Sequence, residues 1–246
     1  MEVAGAADWL LSHHLRGTPY RCAPFVLLAD DEPALLDEPE ALLRGDLAAM
    51  RALARTLVLS GFGMTLARGS HPASQGEHLI SHYVDMFAPT GRARRFHGEQ
   101  VAVATLTMAR IQEAALAKAP PHLRPSPITR AELQRRFGAG IGASCWREFD
   151  AKRVTGETAP TLTQRVADVW DDLRIRIRGV AIPATRIAAV MERAGCPVTA
   201  AQIGLSPDFY AMAVRNARFL RDRYTFLDLA DDAGQLAVPC PDDKTS

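Results

Sequence analysis

Residues 98–119, "GEQVAVATLTMARIQEAALAKA", run without proline, apolar on most sides at first and amphipathic towards the end. A helix that enters a core and then leaves it reads this way. Such a helix needs other elements to cover it, and the flanking segments are helical too. In residues 40–66, Leu43, Leu47, Met50, Leu53, Ala54 and Leu57 recur at spacings of three and four and form one face. Asp46 after Gly45 is placed to cap a helix start there, and Gly61 and Gly63 let another backbone approach or loosen the helix end. Proline-rich "APPHLRPSPITR" is a loop, and Thr129 with Glu132 forms a capping box for the helix after it. Residues 160–178 read as a further helix, with "DDLRIRIRG" alternating for a few residues in a way that also suits a short strand; helix is the favoured reading. Pro183 opens a helix that Gly195 stops. Ser206 as N-cap, Pro207 at the first helical position and Asp208 beside it open the last helical segment, which reads on through "RDRYTFLDLADDAG". No unit repeats and no extended β pattern occurs. The expectation is an all-α fold, one helical domain over residues 1–236, with a disordered tail at 237–246.

Composition narrows the classes of function. The chain has 246 residues, 48% apolar and 23% charged, with a formal net charge of +1. No bulk basic field argues for nucleic acid or an anionic membrane. No uninterrupted apolar run approaches the roughly 20 residues of a bilayer span, and the start, "MEVAGAADWLLSHHLRG", lacks the charged and apolar regions of a signal peptide. Cys22, Cys145, Cys196 and Cys240 are far apart with no CxxC pair, so reduced thiols and a cytoplasmic location are expected. There is neither a strand–turn–helix with a GxGxxG pattern nor a P-loop to cradle a pyrophosphate.

The residues that carry chemistry are histidines. A helix beginning near Gln75 or Gly76 runs "GEHLISHYVDMF" and puts His78 and His82 at i and i+4, on one face. Two neutral imidazoles at this spacing can chelate a transition metal; a polar helix face with one buried, hydrogen-bonded histidine accounts for them equally simply. His97 opens "HGEQVAVATL" at the start of the next helix, where one ring nitrogen can ligate while a neighbour holds the other. Glu99 or Gln100 suits a capping role, a substrate contact or a solvated face.

Taken together, "GSHPASQGEHLISHYVDM" and "HGEQVAVATL" resemble the sn-glycerol-1-phosphate dehydrogenase family, part of a larger group with the iron-containing alcohol dehydrogenases, glycerol dehydrogenases and dehydroquinate synthases. "ADWLLSHHLRGTPY" is similar to the Ala-Asp-Trp segment that starts the family's helical domain. "ARFLRDRYTFLDLADDAGQL" is similar to its closing helix, with Arg221, Asp222, Arg223, Tyr224 and Thr225 in the matching run. "HGEQ" and this ending favour the dehydrogenase branch over a synthase-like lyase. The resemblance implies the C-terminal helical domain of that fold. It implies a divalent metal, usually zinc with iron or nickel as alternatives, held by one aspartate and two histidines, here His78 and His97. His82 is implied as a pocket histidine for proton relay or substrate contact. Ser70, His71 and Ser74 are implied on the substrate side, with a polyol or polyol phosphate such as glycerol 1-phosphate as substrate. A metal with an open position lowers the pKa of a bound alcohol, so that hydride can leave its carbon.

The chain also departs from the family pattern. The family's metal-binding aspartate falls about ten residues before the Ala-Asp-Trp motif, ahead of Met1 here, and Asp8 belongs to the motif itself. The N-terminal nucleotide-binding domain has no counterpart, so NAD(P) is expected only in a full-length enzyme and no cofactor-binding residue is assigned. His71 stands in place of an arginine and Arg68 in place of a glycine, which weakens the case for a bidentate phosphate contact. The expectation is a truncated or partial enzyme with little activity alone, served by a separate nucleotide-binding chain or associating with itself, and exposing a large apolar patch. The competing expectation is a non-catalytic helical module that binds a partner and keeps inherited histidines.

Overall fold

In a computed structural model of the chain, residues 3–89, 91 and 95–237 are described. They form thirteen α-helices and no strand. In chain order these are α1 (Val3–Arg16), α2 (Ala23–Val26), α3 (Glu32–Asp37), α4 (Glu40–Leu43), α5 (Leu47–Ala67), α6 (Gly76–Phe87), α7 (His97–Leu116), α8 (Arg130–Phe137), α9 (Ala139–Asp150), α10 (Ala159–Val180), α11 (Ala184–Arg193), α12 (Pro207–Ala217) and α13 (Phe226–Asp232), with a 3-10 turn at Ala201–Ile203. The expected all-α class is what the structure shows, and the tail expected to be disordered lies, apart from Ala237, outside the described residues.

The centre is α7, buried along Val103, Ala104, Leu106, Met108 and Ile111. Helices α1, α6, α11 and α13 pack on it, and α1 packs in turn on α10. Trp9 from α1 and Trp170 from α10 are almost fully buried. Each indole N–H donates to a backbone carbonyl, Trp9 to Pro19 at 3.0 Å and Trp170 to Lys118 at 3.1 Å. That removes the penalty of burying the polar end of a large apolar ring. Asp46, Thr129 and Ser206 accept from the third residue on, at 2.9, 3.2 and 3.2 Å, as N-caps; the reciprocal half of the expected Thr129–Glu132 capping box is not made, because the Glu132 carboxylate pairs with Arg135 and Arg136 instead. The alternating segment before Val180 is the last part of α10, with Leu173 and Ile177 turned inward and Ile175, Arg176 and Arg178 outward.

Two readings are corrected. The helix start expected at Asp46 is where α5 begins, and Gly45, at φ 71, separates it from α4. The apolar face of residues 40–66 does not point to the core, since Leu43, Leu47, Met50 and Leu57 are exposed while Thr56 and Gly63 are buried. Gly63 permits the contact, because a Cβ there would stand 3.0 Å from Cβ of Pro24. α5 therefore packs on α2 and α3 through its small residues. The last helical segment is likewise split, with residues 218–225 crossing between α12 and α13. By length and composition α5 is also long and apolar enough to cross a membrane.

Candidate metal and substrate site

Two buried carboxylates set the start of α6, which carries His78 and His82. Gln75, its N-cap, makes no side-chain capping bond. Instead Asp8 Oδ2 from α1 accepts from the Gly76 N–H at 3.0 Å, and Glu77 Oε1 accepts from the Gln75 N–H at 2.8 Å. The negative charge of Glu77 at a helix N-terminus is favourable. Glycine at position 76 makes this close approach possible, since a Cβ there would lie 2.5 Å from Cε of Met108 and 2.8 Å from Oδ2 of Asp8 and would displace those side chains. Asp8 Oδ1 also accepts from the Phe226 N–H at 2.9 Å, so the same side chain holds the start of α13. Burial, with the nearby Glu77 charge adding to it, pushes Asp8 up to about 8.

The structure brings His78, His82 and His97 together. Ring centroids are 5.3 Å apart for His78 and His97, 6.0 Å for His82 and His97, and 6.2 Å for His78 and His82. His78 Nδ1 is 2.9 Å from Glu77 Oε1. Burial raises the Glu77 pKa, but the hydrogen bond and charge of His78 outweigh it and the net shift is downward. His97 Nδ1 is 3.2 Å from Oγ of fully buried Ser81 and 3.9 Å from Asp85 Oδ2. Both rings are thus anchored through Nδ1, leaving Nε2 as the ligating nitrogen. Two imidazoles on one tetrahedral ion, with bonds of about 2.0–2.1 Å, have ring centres about 5 Å apart. The cross-helix pair His78–His97 meets that distance better than the i, i+4 pair. Two donors of a metal site fit on this observation; among the described residues, no group of three or more His, Cys, Asp or Glu side chains is placed to hold an ion.

His82 opens onto a cleft of about 670 Å³ that Asp85, Ser144, Glu148 and Arg221 also line. Burial, then the His78, His97 and Arg221 charges, lower its pKa, so the ring is neutral near pH 7. Arg221 makes no ion pair with a described residue. Ser70, His71 and Ser74 lie in the turn before α6 and do not line this cleft. Arg223 donates to Ser70 Oγ at 2.7 Å and to the Ser74 carbonyl, while the His71 ring stacks on Trp9 at 5.9 Å. Burial first, and the Arg223 charge second, lower the His71 pKa. Glu99 accepts from the Phe96 N–H at 2.8 Å as a cap, and Gln100 donates to Asp85 at 3.0 Å. Sequence reading passed over Glu77, Ser81 and Asp85, although all three lie within the quoted motif. Their one visible signal is polar residues inside a helix whose neighbours Leu79, Ile80 and Val84 are apolar.

The described residues thus form an all-helical domain that gathers three histidines from two helices beside a polar cleft. Its sequence relatives are more specific. The chain is 26% identical over 241 residues to a glycerol-1-phosphate dehydrogenase (NAD(P)+) of Bacillus velezensis, covering 96% of this chain and 49% of that protein. A namesake from Haloquadratum walsbyi is 26% identical over 220 residues, 89% of this chain and 44% of the relative. One from Hyperthermus butylicus is 39% identical over 109 residues, 44% of this chain and 30% of the relative. No protein-family model matches. The chain is thus a relative of the glycerol-1-phosphate dehydrogenases along nearly its whole length, and it spans about half the length of the curated relatives it matches.

Proposed function

We propose that this chain is the metal- and substrate-binding helical part of an NAD(P)-linked dehydrogenase acting on a polyol phosphate, with glycerol 1-phosphate and dihydroxyacetone phosphate as the alcohol and ketone. The observation that carries the reading is the convergence of His78 and His97, each ring fixed through Nδ1. His78 and His97 would hold a divalent ion, zinc, iron or nickel; the chemistry it supplies when bound is Lewis-acid polarisation of a substrate hydroxyl. Glu77 and Ser81 set the ring orientations. His82, neutral and facing the cleft, accepts the hydroxyl proton through its free ring nitrogen. Arg221 offers an unpaired guanidinium for the substrate phosphate in the same cleft, and Arg223 holds the Ser70–Ser74 turn beside it. The nicotinamide nucleotide is bound by a separate nucleotide-binding domain rather than by the described residues.

A zinc titration followed by calorimetry, with and without the His78→Ala/His97→Ala double substitution, tests the metal reading. Undiminished binding by the double variant sinks it. Oxidation of NAD(P)H by dihydroxyacetone phosphate, measured on this chain alone, is expected to be negligible; substantial turnover would remove the need for a second domain. A non-catalytic, partner-binding role is the second reading, favoured by the exposed apolar face of α5. It predicts no histidine-dependent zinc binding at all.

A further inference from the structure

His78 and His97 are held at Nδ1 by different kinds of group. Glu77 offers His78 a carboxylate, which only accepts, so the neutral His78 ring carries its proton on Nδ1 and its lone pair on Nε2. Ser81 offers His97 a hydroxyl, which donates as readily as it accepts. Ser81 alone therefore leaves open which nitrogen of His97 has the lone pair that a metal needs. We propose that Asp85, acting through Gln100 and Ser81, is a positioning residue that fixes the lone pair of His97 on Nε2. The proposal rests on the reading of His97 as a ligand.

The hydrogen bonds run in one direction. The Asp85 carboxylate has no proton to give, so Gln100 turns its amide NH2 towards it and donates at 3.0 Å. That leaves the Gln100 carbonyl oxygen towards Ser81, whose hydroxyl donates to it at 3.5 Å. Having given its one proton there, Ser81 Oγ faces His97 Nδ1, at 3.2 Å, with lone pairs alone. The ring answers with Nδ1–H, and Nε2 is free to ligate. Ser81 is fully buried and Gln100 is 4% exposed, so solvent does not compete for either group. Asp85 Oδ2 stands 3.9 Å from His97 Nδ1, too far for a direct hydrogen bond, so its effect passes through Gln100.

The spacing serves the relay. Ser81 and Asp85 are four apart on α6, and His97 and Gln100 three apart on α7, so each pair shares a helix face where the two helices pack. The two polar residues of "HGEQ" are thereby divided: Glu99 caps the helix, and Gln100 sets the ligand.

Nitrogen-15 correlation spectra of the histidine rings, recorded on the full metal-free chain with the rings neutral, test the proposal. His97 is expected in the Nδ1–H form, the minor form of free histidine. In Asp85→Asn the new amide can donate, so Gln100 can reverse and His97 should become a mixture of both forms. Gln100→Met, similar in size but without the amide, should do the same. His78, held by Glu77, should keep its Nδ1–H form in both variants. Zinc affinity should fall about fivefold in each, in proportion to the lost fraction of the ligating form. A wild-type His97 in the Nε2–H form, or an Nδ1–H form indifferent to both substitutions, overturns the proposal. A fall in zinc affinity with no change of tautomer also overturns it, and assigns the effect of Asp85 to its charge. If the tautomer responds while no zinc binds to any of the proteins, the relay stands and the metal reading falls.

Discussion

His78 and His82 share a helix face by their spacing of four, yet the pair whose geometry suits one ion is His78 with His97, from two different helices. His78→Ala and His97→Ala should each abolish measurable zinc binding. His82→Ala should leave affinity within a few fold, as read by competition with a chromophoric chelator. Equal losses from all three would make His82 a ligand rather than a pocket residue. Glu77→Gln removes the carboxylate that fixes the His78 ring and should lower zinc affinity by about 10–100-fold, the usual cost of such a partner. Asp8 supplies a pH test. Its folded pKa of about 8 lies above the ordinary value of 3.8, because burial and then Glu77 oppose its ionisation. Between those values the folded state holds a proton that the unfolded state has released. Its contribution to stability is therefore full below about pH 4 and falls as pH rises towards 8, by a few kcal/mol in all. Thermal denaturation from pH 5 to 8 should show that decline, and Asp8→Asn should flatten it. A parallel decline in the variant would assign the effect to other groups.

At the scale of elements, the α8–α9 hairpin rests on one glycine. A Cβ on Gly142 would stand 2.5 Å from both Cα of Gln134 and the carbonyl oxygen of Leu133, which are backbone atoms with no room to move aside. Gly142→Ala should therefore destabilise the chain by about 1–3 kcal/mol or more, against the small gain alanine normally brings to a helix. Urea titration would register this as a lower midpoint at unchanged slope, and a midpoint at or above that of wild type would contradict the packing. Helix starts were the most legible part of the sequence, because capping is local: Asp46, Thr129 and Ser206 each needed only a donor three residues away. The direction of α5 was not legible. Its spacing marks a helix, but nothing local says that Leu47, Leu57 and Leu66 are exposed while Thr56 is buried and Gly63 faces Pro24. The break between α12 and α13 was equally hidden, since residues 218–225 are held by long-range charge pairs and contain neither glycine nor proline. The histidines were visible as types and spacings. What orients them, Glu77, Ser81 and the distant Asp8, depends on how α1, α6 and α7 meet.

Over the whole molecule, the C-terminal turn is joined to the rest by a buried network of charge. Arg218, almost fully buried, donates to Asp228 at 3.1 Å, to Asp232 at 2.7 Å and to Asp231. Lys152 at the end of α9 donates to the Arg223 carbonyl at 2.5 Å and to Asp228 at 2.9 Å. Tyr224 donates to Asp232 at 3.1 Å. Burial depresses the Lys152 pKa against the opposing pull of Asp228, whereas the three aspartates outweigh burial at Arg218 and raise its pKa. The network connects α9 to α13 and fixes the loop from which Arg221 enters the cleft and Arg223 reaches Ser70. Arg218→Ala leaves Asp228 and Asp232 buried with fewer partners and should cost about 3–5 kcal/mol, more than either aspartate's hydrogen bonds alone. Arg218→Met in a chain also carrying Lys152→Met and Asp228→Asn removes both buried cations together with the carboxylate they share, leaves Asp232 its bond from Tyr224, and should recover part of that loss. If the network serves stability alone, zinc affinity at His78 and His97 will be equal in the triple variant and the wild type at a temperature where both are folded. If it also positions the cleft, zinc affinity will hold, because α6 and α7 carry the histidines, while inorganic phosphate, binding at Arg221, will weaken as the 218–225 loop loosens.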